Sequence, residues 1–295
     1  MRAIVLHETG GPEVLRVEEA ADPVPGPGEV LVRVEAAAVN HFDVTQRAGG
    51  AKQLPVVPGL DGAGIREDTG DRVLVTGKMG CYAELVAASE EKIWSIPDAL
   101  GAATAAALGV AYRTAWWSLV DRAGLERGDK LLVQAGSSGT GQACIDVGRT
   151  LGATVYATAS PSKHERIRAL GAEPLAYDDP SLESLGANVV FDPAGADTFA
   201  RSVEALAPDG RIVTPGAIGD AQVSFNVWTL VGRRGRIIGI GGAPAKRETV
   251  ERLIELAAAG ELRPVIDREL PLEQAAEAHR LIEARETFGK LILRP

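Results

Sequence analysis

Cysteine is almost missing from this chain of 295 residues, which carries only Cys81 and Cys144. Two are too few for a disulfide framework and too few for a four-cysteine zinc lobe. Both read as small packing residues rather than nucleophiles. Long apolar runs are missing as well. The alanine-rich stretch from Ala99 to Val110 comes nearest to a membrane span, and it is short and weakly hydrophobic. The opening MRAIVLHETG lacks the apolar core of a secretory leader, because His7 and Glu8 interrupt it; the cytoplasm is the expected location. An excess of basic charge is missing too. The formal net charge of -9 and the scatter of Arg33, Arg113, Arg166, Arg211, Arg233, Arg234 and Arg236 argue against a nucleic-acid surface.

What is present is the profile of a folded globular chain, with 45% apolar and 24% charged residues and enough length for one large domain or two ordinary ones. The first hundred residues are β-rich: VLRVEEA, EVLVRVEAAAV and DRVLVTG are short β-branched runs between Pro/Gly punctuation at Pro23–Gly28 and Pro55–Gly64. After about Gly101 strands and helices alternate. Strands are expected at Lys130–Ala135, Thr154–Thr158, Asn188–Phe191, Arg211–Thr214 and Arg236–Ile240, with helices at Gln142–Leu151 and Ala196–Leu206. Another helix, ending at Gly171, is expected to open on a capping box with Ser162 as N-cap and Glu165 reaching back. Such a βαβ series implies a parallel sheet with helices on both faces. Thr249–Ala259, Val265, Leu272–Ala284 and Lys290–Leu293 form a closing α/β segment expected to return to the first domain.

The run Ala135-Gly-Ser-Ser-Gly-Thr-Gly141 lies between an expected strand and an expected helix, the setting a dinucleotide fingerprint requires. So tight a turn wants residues without a large side chain. The helix start at Thr140–Gln142 offers free N–H groups and a positive dipole end to a pyrophosphate, and Gly141 allows close helix–strand packing. Ser137, Ser138, Gly139, Thr140 and Gly141 are therefore cofactor-binding candidates. Ser138 stands where the middle glycine usually lies; its hydroxyl can bond a phosphate oxygen, and its bulk limits how near the backbone comes. The end of the second strand, Ala157-Thr-Ala-Ser-Pro-Ser-Lys163, has no carboxylate for a ribose 2′-hydroxyl. Ser160 as a donor and Lys163 as a point charge suit the 2′-phosphate of NADPH instead.

These motifs together resemble the medium-chain dehydrogenase/reductase superfamily and, within it, the zinc-free quinone oxidoreductases. The likeness runs through GGPEVLRVEE, PGPGEVLVRVEAAAVNHFD, PGLDGAG, GDRV, the YAE ending at Glu84, AYRTAW, GDKLLVQAGSSGTG, GAEPLAY and FGKLIL, in that order. The resemblance implies an α/β fold: a GroES-like β-barrel domain over residues 1–111 and 243–295, an inserted Rossmann domain (a doubly wound parallel sheet) over residues 112–242, and a cleft that holds the nicotinamide. Where zinc-dependent relatives carry their catalytic ligands, this chain has Asn40, Leu60 and Val110, and no metal is expected. The family pattern implies that Asn40, of an Asn-x-x-Asp motif completed by Asp43, lies near the nicotinamide beside Thr114; these three are the catalytic candidates. It implies that Tyr177 lines the adenosine part, that Gly216 and Ala217 approach the nicotinamide ribose, and that Ile240 and Gly241 pass the carboxamide. Two departures stand near the expected cleft mouth: Ala51 or its neighbours replace a tyrosine of several members, and Ile65–Asp71 is shorter than usual.

The implied reaction is hydride transfer from NADPH to a quinone or another electron-poor carbonyl, with the cofactor carrying the chemistry and the protein supplying orientation. Asn40 is the candidate donor to the developing oxyanion, and His41 a candidate relay. The alternatives are an alkene reductase of enones or enoyl thioesters, for which Tyr112 is the candidate proton donor, and a binding protein: an NADPH-holding sensor, or a crystallin-like or RNA-associated member of the fold. A third is a structural partner whose altered turn has lost the cofactor. A small-molecule substrate, no nucleic acid, no membrane and a homodimer or tetramer through the sheet edge near Ile237–Ile240 complete the expectation.

Overall fold

The computed structural model describes Met1–Pro295 and divides into two compact units, Met1–Ala111 with Ala245–Pro295, and Tyr112–Pro244. The first opens with β1 (Arg2–Ile4) and β2 (Val17–Glu19), an antiparallel pair. Its main sheet holds β3 (Glu29–Ala38), β4 (Asp61–Arg66), β5 (Arg72–Thr76), β6 (Leu85–Ser89) and β7 (Ile93–Ser95), all antiparallel to their neighbours. Alternation decides the face of β3 early on, with Val32 and Val34 buried around exposed Arg33. Ala36, Ala37 and Ala38 are then buried on both faces. The alanine-rich segment supplies the cover, since the helix Ala102–Leu108 packs on β3 and β4, and small side chains let it come close. The shortened segment Ile65–Asp71 is a tight hairpin: Gly70 donates to the Arg66 carbonyl at 2.9 Å and Arg66 to the Asp71 carbonyl at 2.9 Å. Ala51 packs against the apolar core.

The second unit is a six-stranded parallel sheet of β8 (Lys130–Val133), β9 (Thr154–Thr158), β10 (Glu173–Leu175), β11 (Ala187–Phe191), β12 (Leu206–Thr214) and β13 (Arg236–Gly239). Its order is β10-β9-β8-β11-β12-β13. Counted within the unit this is 3-2-1-4-5-6, the doubly wound dinucleotide-binding order, whose switch point lies between β8 and β11. Helices on both faces explain the unbroken apolar runs, with Leu131, Leu132, Val133, Val189, Val190 and Phe191 all fully buried. The remaining strands, β14 (Ile266–Pro271) and β15 (Lys290–Arg294), belong to the first unit, where β15 runs parallel to β14 and antiparallel to β3.

Three local expectations are corrected. The helix expected from Gln142 begins at Gly139, because Ser138 caps it. Ser162 is not an N-cap: Pro161, with its preset φ, starts a 3-10 turn over Pro161–Lys163, and the helix proper runs His164–Ala169 with no side-chain cap. The helix expected over Ala196–Leu206 spans only Phe199–Glu204, because Asp192 draws the Ala194 and Gly195 N–H groups and the Thr198 hydroxyl into a loop.

Candidate functional site

The glycine turn follows β8 at the carboxyl end of the sheet. Ala135 takes a left-handed conformation, φ 55°, rare for a residue with a Cβ. A side chain at position 141 would overlap the Ala135 carbonyl and come within 3.0 Å of the Gly136 Cα, so glycine is required there for the helix Gly139–Leu151 to sit against the turn. At position 136 a Cβ would stand 2.8 Å from the Ala157 side chain, which makes Gly136 the residue that lets β9 lie close. The half-buried Ser138 accepts from the Gly141 N–H at 3.0 Å with its hydroxyl, as N-cap. The first two helical N–H groups, those of Gly139 and Thr140, have no partner within the helix.

In the 3-10 turn after β9 the Lys163 ammonium donates to the Ser137 hydroxyl at 3.4 Å, so a cation just beyond the second strand reaches the turn itself. Ser160 precedes the 3-10 turn and spends no hydroxyl on capping it. Tyr177 is exposed in the loop after β10, and Gly216 and Ala217 are exposed after β12, Gly216 with φ 142°. Ile240 is buried and Gly241 exposed beyond β13; the Trp117 indole donates to the Ile240 carbonyl at 3.2 Å. Thr114 is half-buried on the helix Val110–Trp116. The turn, Ser160, Lys163, Tyr177, Gly216, Ala217, Ile240 and Gly241 thus all follow carboxyl ends of strands, where ligands of open α/β sheets bind.

In the first unit, sequence reasoning named Asn40 and Asp43 but missed what surrounds them. Asn40 is 6% exposed, and both ends of its amide are committed. Its Nδ2 donates to Asp61 Oδ2 at 2.9 Å and to the Ala38 carbonyl at 3.3 Å, while its Oδ1 accepts from the Lys290 ammonium at 2.6 Å. Lys290 also donates to the Val39 carbonyl at 2.6 Å. Asp61 accepts in addition from the Thr76 hydroxyl at 2.6 Å and the Val110 N–H at 2.9 Å. The amide of Asn40 thereby links a buried cation to a buried carboxylate. Burial holds the Lys290 amine below its usual range, opposed by the charges of Asp61 and Asp43.

Asp43 is fully buried and accepts from the Asn40 N–H at 2.9 Å and from the Tyr82 hydroxyl at 3.3 Å. Desolvation pushes its carboxyl up to about 7, against the backbone bond from Asn40. Its place is the cap of the turn into the helix His41–Thr45. His279 lies 3.3 Å from the same hydroxyl and is held down at about 3 by burial and the charge of Arg47. His41 is exposed at the surface, with Nδ1 3.4 Å from the Thr45 hydroxyl. Tyr112, in the second unit, is buried with its hydroxyl given to Asp146 at 2.8 Å, which withdraws it as a proton donor. The signal that could have found Lys290 is a charge opening an apolar strand, and for Asp61 a carboxylate between the glycines of PGLDGAG.

Known proteins place this architecture. The family described as alcohol dehydrogenase GroES-like domain matches residues 26–98, and that described as zinc-binding dehydrogenase matches residues 170–293. Mouse quinone oxidoreductase is 31% identical over 99% of this chain and 97% of its own length. A solved NAD-dependent alcohol dehydrogenase is 34% identical, with full coverage of both chains and a TM-score of 0.94. A mycobacterial structure complexed with NADPH is 28% identical, again with full coverage of both chains, at a TM-score of 0.91. The chain belongs to the medium-chain dehydrogenase/reductase superfamily and is quinone oxidoreductase-like. It is accordingly an NAD(P)-dependent oxidoreductase acting on a small molecule. No helix is long and apolar enough to cross a membrane.

Proposed function

We propose that this oxidoreductase works without zinc and uses NADPH to reduce a quinone or a similar electron-poor carbonyl compound. One observation carries the reading above the others: the end of β9 sets the Lys163 ammonium against the glycine turn, where an NAD site would set a carboxylate. The turn fits the cofactor, because the glycines clear the space a backbone needs beside a pyrophosphate and the helix start leaves Gly139 and Thr140 N–H groups for it. Ser160, Lys163 and Tyr177 would hold the adenosine phosphate end, with Gly216, Ala217, Ile240, Gly241 and Thr114 at the nicotinamide end. Bound NADPH supplies the hydride.

The donor set supports zinc independence. Leucine and valine at positions 60 and 110 have no ligating atom, the Asn40 amide is spent on Asp61 and Lys290, and no grouping of three or more His, Cys, Asp or Glu side chains suits a metal ion. The same commitment changes the part proposed for Asn40: it holds the segment Val39–Asp43 in place, and a quinone oxyanion takes its proton from solvent. A quinone is preferred over an enone for that reason. An enone needs a proton at carbon, and Tyr112 has given its hydroxyl to Asp146.

Lys163→Met tests the cofactor assignment. It is expected to weaken NADPH binding about tenfold and leave NADH binding unchanged, since it removes one charge-assisted contact to the 2′-phosphate. An equal loss for both nucleotides would overturn the assignment. We also propose a dimer through the edge strand β13, which exposes Ile237 beside the helix Val227–Arg233 with Trp228 76% exposed. Sedimentation equilibrium at twice the chain mass is expected, and a monomer at micromolar concentration would remove the proposal.

A further inference from the structure

Behind the glycine turn lies a line of buried polar groups that no part of the proposed reaction uses. It starts at Ala135, whose N–H donates to the Thr158 hydroxyl at 3.2 Å. That hydroxyl donates to Gln134 Oε1 at 2.6 Å, and Gln134 Nε2 donates to the Ser202 hydroxyl at 3.1 Å. Ser202 donates to Asp192 Oδ2 at 2.6 Å. Thr158, Ser202 and Asp192 are fully buried and Gln134 is 1% exposed. Each proton points the same way, so the bonds polarise one another, and the line ends on the Asp192 carboxyl.

Asp192 has a second set of partners. It accepts from the Ala194 N–H at 2.9 Å, the Gly195 N–H at 3.3 Å and the Thr198 hydroxyl at 2.8 Å. The loop so gathered is stitched to the one after β12: Ile218 donates to the Pro193 carbonyl at 2.8 Å, and Ala196 to the Asp220 carbonyl at 3.0 Å. Gly195, at φ 82°, lies so close that a Cβ there would meet the Ala217 side chain at 2.7 Å. One carboxylate under the switch point therefore ties the glycine turn to the loop that carries Gly216 and Ala217. No lysine, arginine or histidine bonds it; N–H and O–H dipoles alone satisfy this buried carboxyl.

We propose that Asp192 is a positioning residue of the dinucleotide site, setting the conformation of Ala135 through Ser202, Gln134 and Thr158 while it holds the loop under Ala217. This rests on the reading that the glycine turn binds NADPH. The hydroxyl of Thr158 holds the Ala135 N–H in a left-handed turn that alanine does not choose by itself, and glycine does.

That difference supplies the test. NADPH dissociation constants are measured for the wild type, Thr158→Val, Ala135→Gly and the double variant, with Ser202→Ala as a break further along the line. Thr158→Val and Ser202→Ala are each expected to weaken binding about tenfold. In the double variant, affinity is expected to return to within about twofold of Ala135→Gly, because glycine holds the turn unaided. A hydroxyl that served only stability would not be repaired by a glycine at position 135. Wild-type affinity in folded Thr158→Val and Ser202→Ala, or a double variant as weak as Thr158→Val, would overturn the proposal. A wild type that binds neither NADPH nor NADH would instead remove the reading of the turn on which it rests.

Discussion

Gly141→Ala is expected to abolish useful NADPH binding and to destabilise the second unit. The added methyl overlaps the carbonyl of Ala135, a backbone atom fixed by the left-handed turn and by its acceptance of the Ser138 N–H at 3.0 Å. Neither neighbour is a side-chain end that can swing aside, so the helix Gly139–Leu151 must shift away from β8. Overpacking of this kind costs about 3 kcal/mol. The shift also moves the Gly139 and Thr140 N–H groups off the position a pyrophosphate needs, and binding is expected to fall by roughly two orders of magnitude. Calorimetric titration with NADPH and urea unfolding of the variant check the two halves separately. Wild-type affinity would mean that the turn is not where the dinucleotide binds.

Lys290→Met is expected to show the largest loss of stability in the first unit. The methionine fills the space but leaves Asp61 and Asp43 without the cation that faces them through Asn40, and removal of one partner from a buried charged cluster costs about 3–5 kcal/mol. The pH dependence follows from Asp43. Its carboxyl is raised in the folded protein to about 7, from an ordinary aspartate value of 3.8. A raised carboxyl favours folding fully below the unfolded value, and that advantage is lost as pH rises through about 7. Without Lys290 a lowering influence on Asp43 is gone, so the loss extends to higher pH. The variant is therefore expected to lag the wild type most at pH 8 and to recover part of the difference at pH 5, where Asp43 holds its proton. Urea midpoints at the two pH values measure this, and an equal deficit at both would contradict the linkage to Asp43.

The legible parts of the fold were those in which one physical demand acts on a contiguous run. Strands buried on both faces must be apolar throughout, so KLLV and NVVF announced β8 and β11. The glycine turn was legible because strand, turn and helix start are consecutive. The site's supporting groups were not, because their partners are remote: Lys290 meets Asn40 across 250 positions, and a lysine opening KLIL reads as a strand flank. Asp192 at the end of NVVF reads as an ordinary turn residue; only the folded sheet brings Ser202 and the line to Thr158 against it. The capping role of Ser138 was missed for a related reason. Its hydroxyl was weighed against an absent glycine, whereas locally it is an N-cap three residues before the N–H it accepts from.

NADPH-dependent reduction of a quinone without zinc is tested in a single cuvette on the metal-stripped wild type. NADPH and NADH are titrated in turn, and 1,4-benzoquinone is then added, followed in a parallel run by an enone. NADPH is expected to bind at least about tenfold tighter than NADH, to be oxidised only after the quinone is added, and to turn over little with the enone. Tighter binding of NADH, or activity that appears only when zinc is restored, would contradict it.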